Sequence, residues 1–327
     1  MSDNYSLIIK NGSCYINGNL EKTDIGLIGN KIKKIGKIDV NSSKVFDATD
    51  KLILPGIIDT QVHFREPGST DREDLESGSR AAVLGGITSV FEMPNTNPPT
   101  SSLIEFEKKL NLAKNRMHCN YAFYFGATPE NADQLSKLKD LKGCCGVKLF
   151  AGSSTGKLLV AKEEDIEKVI SSSDRVVSIH SEDEEILNLR KKFIKEGDVH
   201  SHPEWRNNEC AMSSTRRVVK IAERYNKQIH VLHVTTKEEV DFLAMHKKNV
   251  TFEITPQHLT LYAPDCYDKL GTYAQMNPPI RKKEHYDRLW TAVKNSIVDV
   301  LGSDHAPHSK EDKTKKYPAS PSGMPGV

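Results

Sequence analysis

Five side chains in this sequence are of the types that bind divalent metal ions in hydrolases. Gln61 and His63 end one apolar run, and His180, His233 and Asp304 stand at the ends of three later runs. A metal-dependent hydrolase needs nitrogen ligands, one or two oxygen ligands and an open position for water. Residues i and i+2 of a strand point to the same side, so Gln61 and His63 would face one ion. The set therefore predicts a metal site for hydrolysis.

Lys148 lies in the otherwise apolar run GVKLF. A buried cationic lysine is costly unless it is paired, so a salt-bridged or snorkelling side chain is one interpretation. The other is a lysine carboxylated by carbon dioxide, which would turn a cation into a carboxylate able to bridge two metal ions. The residues alone leave both interpretations open.

The number of histidines in the chain indicates whether their placement at strand ends could be a coincidence. The chain has 12 histidines. Four of them are expected in loops, namely His200, His202, His246 and His285. A coincidental placement of His63, His180 and His233 at three strand ends, with Asp304 at a fourth, is therefore a poor explanation, and the metal site is favoured.

Eight apolar, strand-like runs alternate with charged amphipathic stretches after residue 55. The runs are IIDTQVHF, GITSVFEM, NYAFYFGA, GVKLF, VVSIH, IHVLHV, NVTFEI and VDVLGSD. Alternation of this kind predicts an α/β fold, a (β/α)₈ barrel of the TIM type over residues 56–327. A doubly wound open sheet is the competitor, but it would place its site at one switch point and not on nearly every strand.

The two ends of the chain differ from this pattern. Residues 1–55 contain short β-type runs separated by Asn-Gly and Gly-Asn pairs, which predicts a small antiparallel β module. This module resembles part of a β-sandwich whose other part has no counterpart in the sequence. The last residues, YPASPSGMPGV, are rich in Pro, Gly and Ser. We therefore expect a truncated C-terminus and a barrel without its last helix.

Charge and composition exclude several classes of partner. Lys and Arg number 46 and Asp and Glu number 44, a net charge of +2 that favours neither nucleic acid nor an anionic membrane. No stretch has the length of a membrane span, and the N-terminus does not have the pattern of a signal peptide. Six scattered cysteines without a CxxC pair are typical of reduced thiols in a cytoplasmic protein.

Seven motifs, in order along the chain, carry a family resemblance. They are HFREPG, EMPNTNPPT, GVKLFAGSSTG, IHSED, LHVTT, MNPPIR and SDHAPHS. Together they closely resemble the dihydroorotases, of the cyclic-amidohydrolase branch of the amidohydrolase superfamily. The resemblance implies an amidohydrolase barrel with two zinc ions. It also implies the reversible interconversion of carbamoyl-aspartate and dihydroorotate, the third step of pyrimidine synthesis.

The resemblance also implies roles for particular residues. Six metal ligands are implied, at Gln61, His63, Lys148, His180, His233 and Asp304. Lys148 would be carboxylated and bridge the ions, His180 and His233 would bind the more exposed ion, and Asp304 would bind the buried ion and act as general base. The family has histidine where this chain has Gln61. An amide oxygen suits harder ions better than zinc, so a weakened buried site is expected.

Substrate contacts are implied as well. Arg65, Asn95 and His308 match residues that hold the substrate carboxylate, and Asn277 with the Ser322–Gly323 loop would touch the ring amide. An arginine can hold a carboxylate through two hydrogen bonds. Hydantoinases and allantoinases, the nearest alternative, lack this combination.

A further alternative is a homologue without catalytic activity that docks on aspartate transcarbamoylase. Such a homologue should have lost several functional residues, whereas only the residue at Gln61 departs from the family. Association with aspartate transcarbamoylase and a homodimer are both possible states of an active enzyme.

Overall fold

The computed structural model describes residues 4–39, 44–153 and 158–327. By its internal contacts the chain forms two units, Met1–Ile57 and Ile58–Val327. The boundary predicted from the sequence, between residues 55 and 56, lies two residues before this division. That the first unit is part of a β-sandwich stays a prediction.

The first unit is a five-stranded sheet. Its strands are β1 (Leu7–Ile16), β2 (Asn19–Ile28), β3 (Lys31–Ile35), β4 (Val45–Asp47) and β5 (Leu52–Ile53). The strand order is β3-β2-β1-β4, and β5 also pairs with β1. β1 runs antiparallel to β2 and β2 antiparallel to β3, but β4 and β5 run parallel to β1. The expected module is present, and the expectation that it is purely antiparallel is wrong.

The two Asn-Gly pairs of this unit have different structures. Asn17 and Gly18 both have positive φ, 48° and 88°, and form the tight turn between β1 and β2. Asn11 also has a positive φ, 64°, but the pairing register with β2 shifts there and β1 continues. A Cβ on Gly12 would lie 2.3 Å from the Ile53 side chain, so the residue must be glycine for this close approach. The Asn11–Gly12 pair is therefore a β-bulge within β1 and not a turn.

The second unit contains the eight predicted parallel strands. They are β6 (Ile57–Val62), β7 (Ile87–Glu92), β8 (Asn120–Gly126), β9 (Cys144–Phe150), β10 (Val177–His180), β11 (Ile229–Val231), β12 (Val250–Ile254) and β13 (Val300–Leu301). Each strand pairs with the next in chain order. The His63 backbone N–H donates to the His305 carbonyl at 2.7 Å, which joins the end of β6 to the segment after β13. The predicted barrel is confirmed and is nearly closed.

Helices connect the strands. They are α1 (Leu75–Leu84), α2 (Leu103–Ala113), α3 (Glu163–Ser172), α4 (Glu184–Arg190), α5 (His202–Trp205), α6 (Asn208–Tyr225), α7 (Lys237–Ala244), α8 (Pro256–Thr260), α9 (Asp265–Leu270), α10 (Lys283–Lys294) and α11 (Lys310–Lys313). Short 3-10 turns occupy Ala132–Leu138, Lys191–Phe193, Val199–Ser201 and Gly271–Ala274. None of the helices in the described ranges is both long and apolar enough to span a bilayer.

Two of the helices begin at reciprocal side-chain caps that the sequence supplies. Asp74 caps α1 by accepting from the Ser77 backbone N–H, and Ser77 returns the contact to the Asp74 backbone. Thr236 and Glu239 form the same reciprocal cap at α7. The apolar faces of these helices then pack on the outside of the barrel.

Two of the histidines expected in loops lie in helices. His202 begins α5 and is 1% exposed, and His285 lies in α10 and is 3% exposed. The Nε2 atom of His202 lies 2.9 Å from the Met276 carbonyl, so the ring is held in the interior by a backbone group. The loop expectation is wrong for both residues because tertiary contacts, and not local sequence, bury them.

A buried ion pair connects β7 with α2. Glu92 is the last residue of β7, Lys109 comes from α2, and both side chains are 1% exposed or less. The Lys109 ammonium also donates to the Met93 carbonyl at 3.1 Å. The pair therefore holds the start of the Met93–Asn95 segment, which carries one of the predicted substrate contacts.

We expect Lys109→Met to destabilise the protein by about 3–5 kcal/mol, because it leaves a buried carboxylate without its partner. The double variant Lys109→Met with Glu92→Gln should recover much of that loss. Urea unfolding followed by circular dichroism measures both. Equal stability of the single variant and the unaltered chain would show that the pair contributes nothing.

Candidate active site

All six predicted metal ligands line one small cavity at the C-terminal ends of the barrel strands. The cavity has a volume of about 20 Å³. Its lining consists of Gln61, His63, Lys148, Phe150, His180, His233, Asn277, Asp304, Ala306, Ser322 and Gly323. Catalytic residues of (β/α)₈ enzymes come from the same face of the barrel.

A buried aspartate fixes two of the segments that form this cavity. Oδ1 of Asp59 accepts hydrogen bonds from the backbone N–H of Gln61 at 3.1 Å and of Ser303 at 2.9 Å. The same carboxylate oxygen therefore connects β6 with the residue before Asp304. Asp304 itself has a φ of 47°, an uncommon left-handed conformation for a residue other than glycine.

Asp304 receives contacts from Gln61 of β6 and from His63, the residue after β6. Nε2 of Gln61 donates to its Oδ1 at 3.0 Å, and Nε2 of His63 lies 3.0 Å from the same oxygen. The other ring nitrogen of His63 lies 2.7 Å from Oδ1 of Asn95. Burial lowers the pKa of His63 below its usual value, although Asp304 opposes the shift.

His180 and His233 form a second pair in the cavity. Nδ1 of His180 lies 3.0 Å from Nε2 of His233. Nε2 of His180 lies 2.9 Å from Glu182, so it carries the proton of that hydrogen bond and Nδ1 keeps its lone pair. Nδ1 of His233 has no hydrogen-bond partner among the described residues.

An arginine neutralises Glu182. Nε of Arg206 donates to both carboxylate oxygens at 3.1 Å, and the two side chains are at most 2% exposed. Burial by itself would raise the pKa of Glu182, but Arg206 and His180 hold it well below its usual value. The sequence analysis did not identify either residue. The position of Glu182, two residues after His180 in IHSED, was an available signal.

Lys148 is fully buried on β9. Its Nζ has no hydrogen-bond partner in the described part of the chain and lies 4.4 Å from the centre of the Phe150 ring. Burial lowers its pKa to about 7, with Asp304 and Glu253 opposing the shift. A substantial fraction of the amine is therefore uncharged near neutral pH. An uncharged amine is the form that reacts with carbon dioxide.

The donor groups present fit a metal only together with Lys148. Within the described residues, no three His, Cys, Asp or Glu side chains are grouped as a ready metal site. The cavity instead offers two pairs, His63 with Asp304 and His180 with His233. Catalytic zinc takes three protein ligands and one water, so a carboxylate on Lys148 would complete each pair.

A cationic cluster lies next to the cavity. Nε of Arg65 donates to the Pro307 carbonyl at 3.0 Å, and its terminal nitrogen lies 3.3 Å from Nε2 of His308. Burial and the neighbouring Arg72 lower the pKa of Arg65 to about 10, so it remains a cation at neutral pH. Burial and Arg65 lower the pKa of His308 to about 3, so this ring is neutral.

Hydrogen bonds fix the ring orientation of His308. Its Nε2 donates to the Ser322 carbonyl at 3.0 Å, and its Nδ1 accepts from Arg72 at 3.3 Å. Arg72 also pairs with Asp312. The sequence analysis did not predict a role for Arg72, which sits seven residues after Arg65 in a segment without strand or helix periodicity.

The two predicted asparagines have different surroundings. Asn95 contacts His63, one of the predicted ligands, and so it lies beside the cavity. Oδ1 of Asn277 accepts from Nε2 of His202 at 3.1 Å. His202 therefore positions Asn277 at the cavity wall.

Comparison with known proteins agrees with this architecture and site. The amidohydrolase family profile matches residues 52–320. The chain belongs to the amidohydrolase family. Its fold is similar to the L-hydantoinase (dihydropyrimidinase) from Arthrobacter aurescens, with a TM-score of 0.92 and 28% identity over 98% of this chain and 74% of that one.

Curated sequence relatives indicate which type of amidohydrolase the chain is. The chain is 37% identical over 335 residues to a dihydroorotase of Methanosarcina mazei, covering 98% of this chain and 73% of the relative. A dihydroorotase of Thermococcus kodakarensis is 33% identical over 323 residues, covering 98% and 71%. The chain is thus an enzyme of the type that hydrolyses cyclic amides, and its function is that of the dihydroorotases.

We expect Glu182→Gln to weaken zinc binding about 10- to 100-fold, as is usual when the partner of a metal-binding histidine is altered. The amide removes the charge that fixes the proton of His180 on Nε2. Competition with a chelating dye measures the zinc dissociation constant. Glu185→Gln, at an exposed position of the same segment, is the matched control and should leave it unchanged. Equal affinities for the two variants would contradict the role of Glu182.

Proposed function

We propose that the chain catalyses the reversible hydrolysis of dihydroorotate to N-carbamoyl-aspartate through a metal centre built around Lys148. The observation that carries this proposal is the meeting of two donor pairs and an unpartnered lysine in one cavity, with Arg65 beside it. The closest alternative is a hydantoinase or allantoinase. A permanent cation beside the site favours a substrate that carries a carboxylate, and dihydroorotate has one.

Zinc is the ion that we propose, because histidine nitrogens and carboxylates are its usual ligands. Two ions would share a carboxylate on Lys148, one with His180 and His233 and one with His63 and Asp304. The second set has glutamine in place of a histidine, so its ion is expected to bind less tightly. Bound zinc would polarise the ring carbonyl and lower the pKa of a water ligand to about 7.

Asp304 moves the proton in this mechanism. Its contacts with Gln61 and His63 both fall on Oδ1, so neither of them uses Oδ2. Oδ2 can take the proton of the attacking water and deliver it to the departing ring nitrogen. In the biosynthetic direction the steps reverse, and the carboxylate takes a proton from the attacking ureido nitrogen and delivers it to the departing oxygen.

The cationic cluster orients the substrate. Arg65 would supply the charge, Asn95 beside His63 an amide group, and His308 beside Arg65 a neutral polar ring. Holding the substrate carboxylate in one place presents the ring amide to the water and to Asp304, which lowers the entropic cost of reaction. Asn277 and the Ser322–Gly323 segment form the wall on which the ring would rest.

The cellular setting is part of the proposal. All six cysteines are unpaired, which suits the reducing cytoplasm. There the reaction would serve pyrimidine biosynthesis. A homodimer or association with aspartate transcarbamoylase stays a prediction.

Arg65→Ala should raise KM for dihydroorotate about 10- to 100-fold, because a charge-assisted contact contributes about 1.5–3 kcal/mol. Hydrolysis of hydantoin, which has no carboxylate, should be unaffected. Steady-state rates with both substrates test the contact between Arg65 and the substrate carboxylate, and the proposed function, together.

If the unaltered chain hydrolyses hydantoin and not dihydroorotate, the chain is a hydantoinase-type hydrolase. If zinc-loaded protein hydrolyses neither substrate, the chain is a homologue without catalytic activity.

Carboxylation of Lys148 can be observed directly. Protein equilibrated with ¹³C-bicarbonate and zinc should show a carbamate carbonyl resonance by ¹³C NMR. The resonance should be absent from Lys148→Met and present in Lys142→Met, a control lysine in the turn before β9. A spectrum of the unaltered protein without this resonance would contradict the bridging role.

A further inference from the structure

The orientation of the Gln61 amide determines what this side chain can do. Its nitrogen Nε2 lies 3.0 Å from Oδ1 of Asp304, and the side chain is buried. An ionised carboxylate only accepts hydrogen bonds, so the NH₂ end of the amide must face it. The oxygen Oε1, which is the atom that could bind a cation, has no hydrogen-bond partner among the residues that the structure describes.

Metal binding and hydrogen bonding by this amide exclude each other. To share an ion with Asp304, the amide would have to turn until Oε1 replaced Nε2. That rotation would break a charge-assisted hydrogen bond, which is among the stronger kinds in proteins.

The backbones of both partners are fixed independently of this contact. Asp59 accepts from the backbone N–H of Gln61 and of Ser303, the residue before Asp304. Asp304 is in a left-handed conformation that persists only where the surroundings determine it. Nε2 of Gln61 donates to its Oδ1 and Nε2 of His63 lies 3.0 Å from the same oxygen, and these contacts determine which oxygen is presented to the cavity.

We propose that Gln61 is a positioning residue that donates to Asp304 and orients the proton-carrying carboxylate, and that it is not a metal ligand. The inference rests on the proposed function, because it assigns the proton transfer to Asp304. The family has histidine at this position. Its replacement by Gln61 would therefore change the role of the residue from binding metal to orienting the general base, Asp304.

The test compares zinc binding with turnover in three forms of the protein. Gln61→Met keeps the length of the side chain and removes the donor, and Gln61→His adds an imidazole. We expect Gln61→Met to leave the zinc dissociation constants and stoichiometry unchanged. Its kcat should fall about 10- to 100-fold while KM for dihydroorotate stays the same. Gln61→His should bind zinc more tightly than the unaltered chain, because imidazole is the better zinc ligand.

Two results would overturn the inference. Weaker zinc binding by Gln61→Met would identify Gln61 as a ligand, and an unaltered kcat would show that it does not position Asp304. Gln61→Ala repeats both measurements if methionine disturbs the packing, and circular dichroism checks the fold of each variant. If the unaltered chain fails to hydrolyse dihydroorotate, the proposed function falls and the positioning role falls with it. Zinc binding needs no substrate, so it still decides whether Gln61 is a ligand.

Discussion

The burial of an unpartnered amine at Lys148 is the constraint around which this site is organised. A lysine in the interior of a barrel is costly as a cation, and no acceptor in the described residues offsets that cost. Its depressed pKa is the direct consequence. Conversion to a carboxylate would change the local charge from positive to negative and supply the oxygens that two donor pairs lack. In the proposed function, the chemistry of the site would therefore depend on one side chain of β9.

Parallel strands bring the rest of the site to Lys148. Each strand ends at the same face, so residues far apart in sequence meet after the last residue of β6, β10, β11 and β13. Two of them, His233 and Asp304, have positive φ just beyond a strand, at 38° and 47°. Strained backbone of this kind is held by the surrounding contacts and is often found where a functional side chain must be aimed.

Buried charges behind the cavity hold those side chains in place. Arg206 neutralises Glu182, which fixes the proton of His180, and Lys109 pairs with Glu92 beneath the segment that carries Asn95. Asp59 performs the equivalent task with backbone groups on either side of the barrel closure. The site is thus two layers deep, and removal of an inner partner would leave an uncompensated charge. Gln61 belongs in part to this supporting layer, because its nitrogen donates to Asp304 and its oxygen has no hydrogen-bond partner among the residues that the structure describes.

The sequence by itself determined the eight strands, the barrel and the six predicted metal ligands that line the cavity, because strand periodicity and polar residues at strand ends are local signals. It also predicted Arg65 and His308 as substrate contacts, through motifs that are contiguous along the chain. Tertiary structure alone decided that Glu182 meets Arg206, that His202 is buried beside Asn277, and that Gln61 presents nitrogen to Asp304. These contacts join residues between 24 and 243 positions apart, and no local pattern encodes the rotation of an amide or the pairing of buried charges. Only the closed barrel, in which each side chain meets its neighbours, determines them.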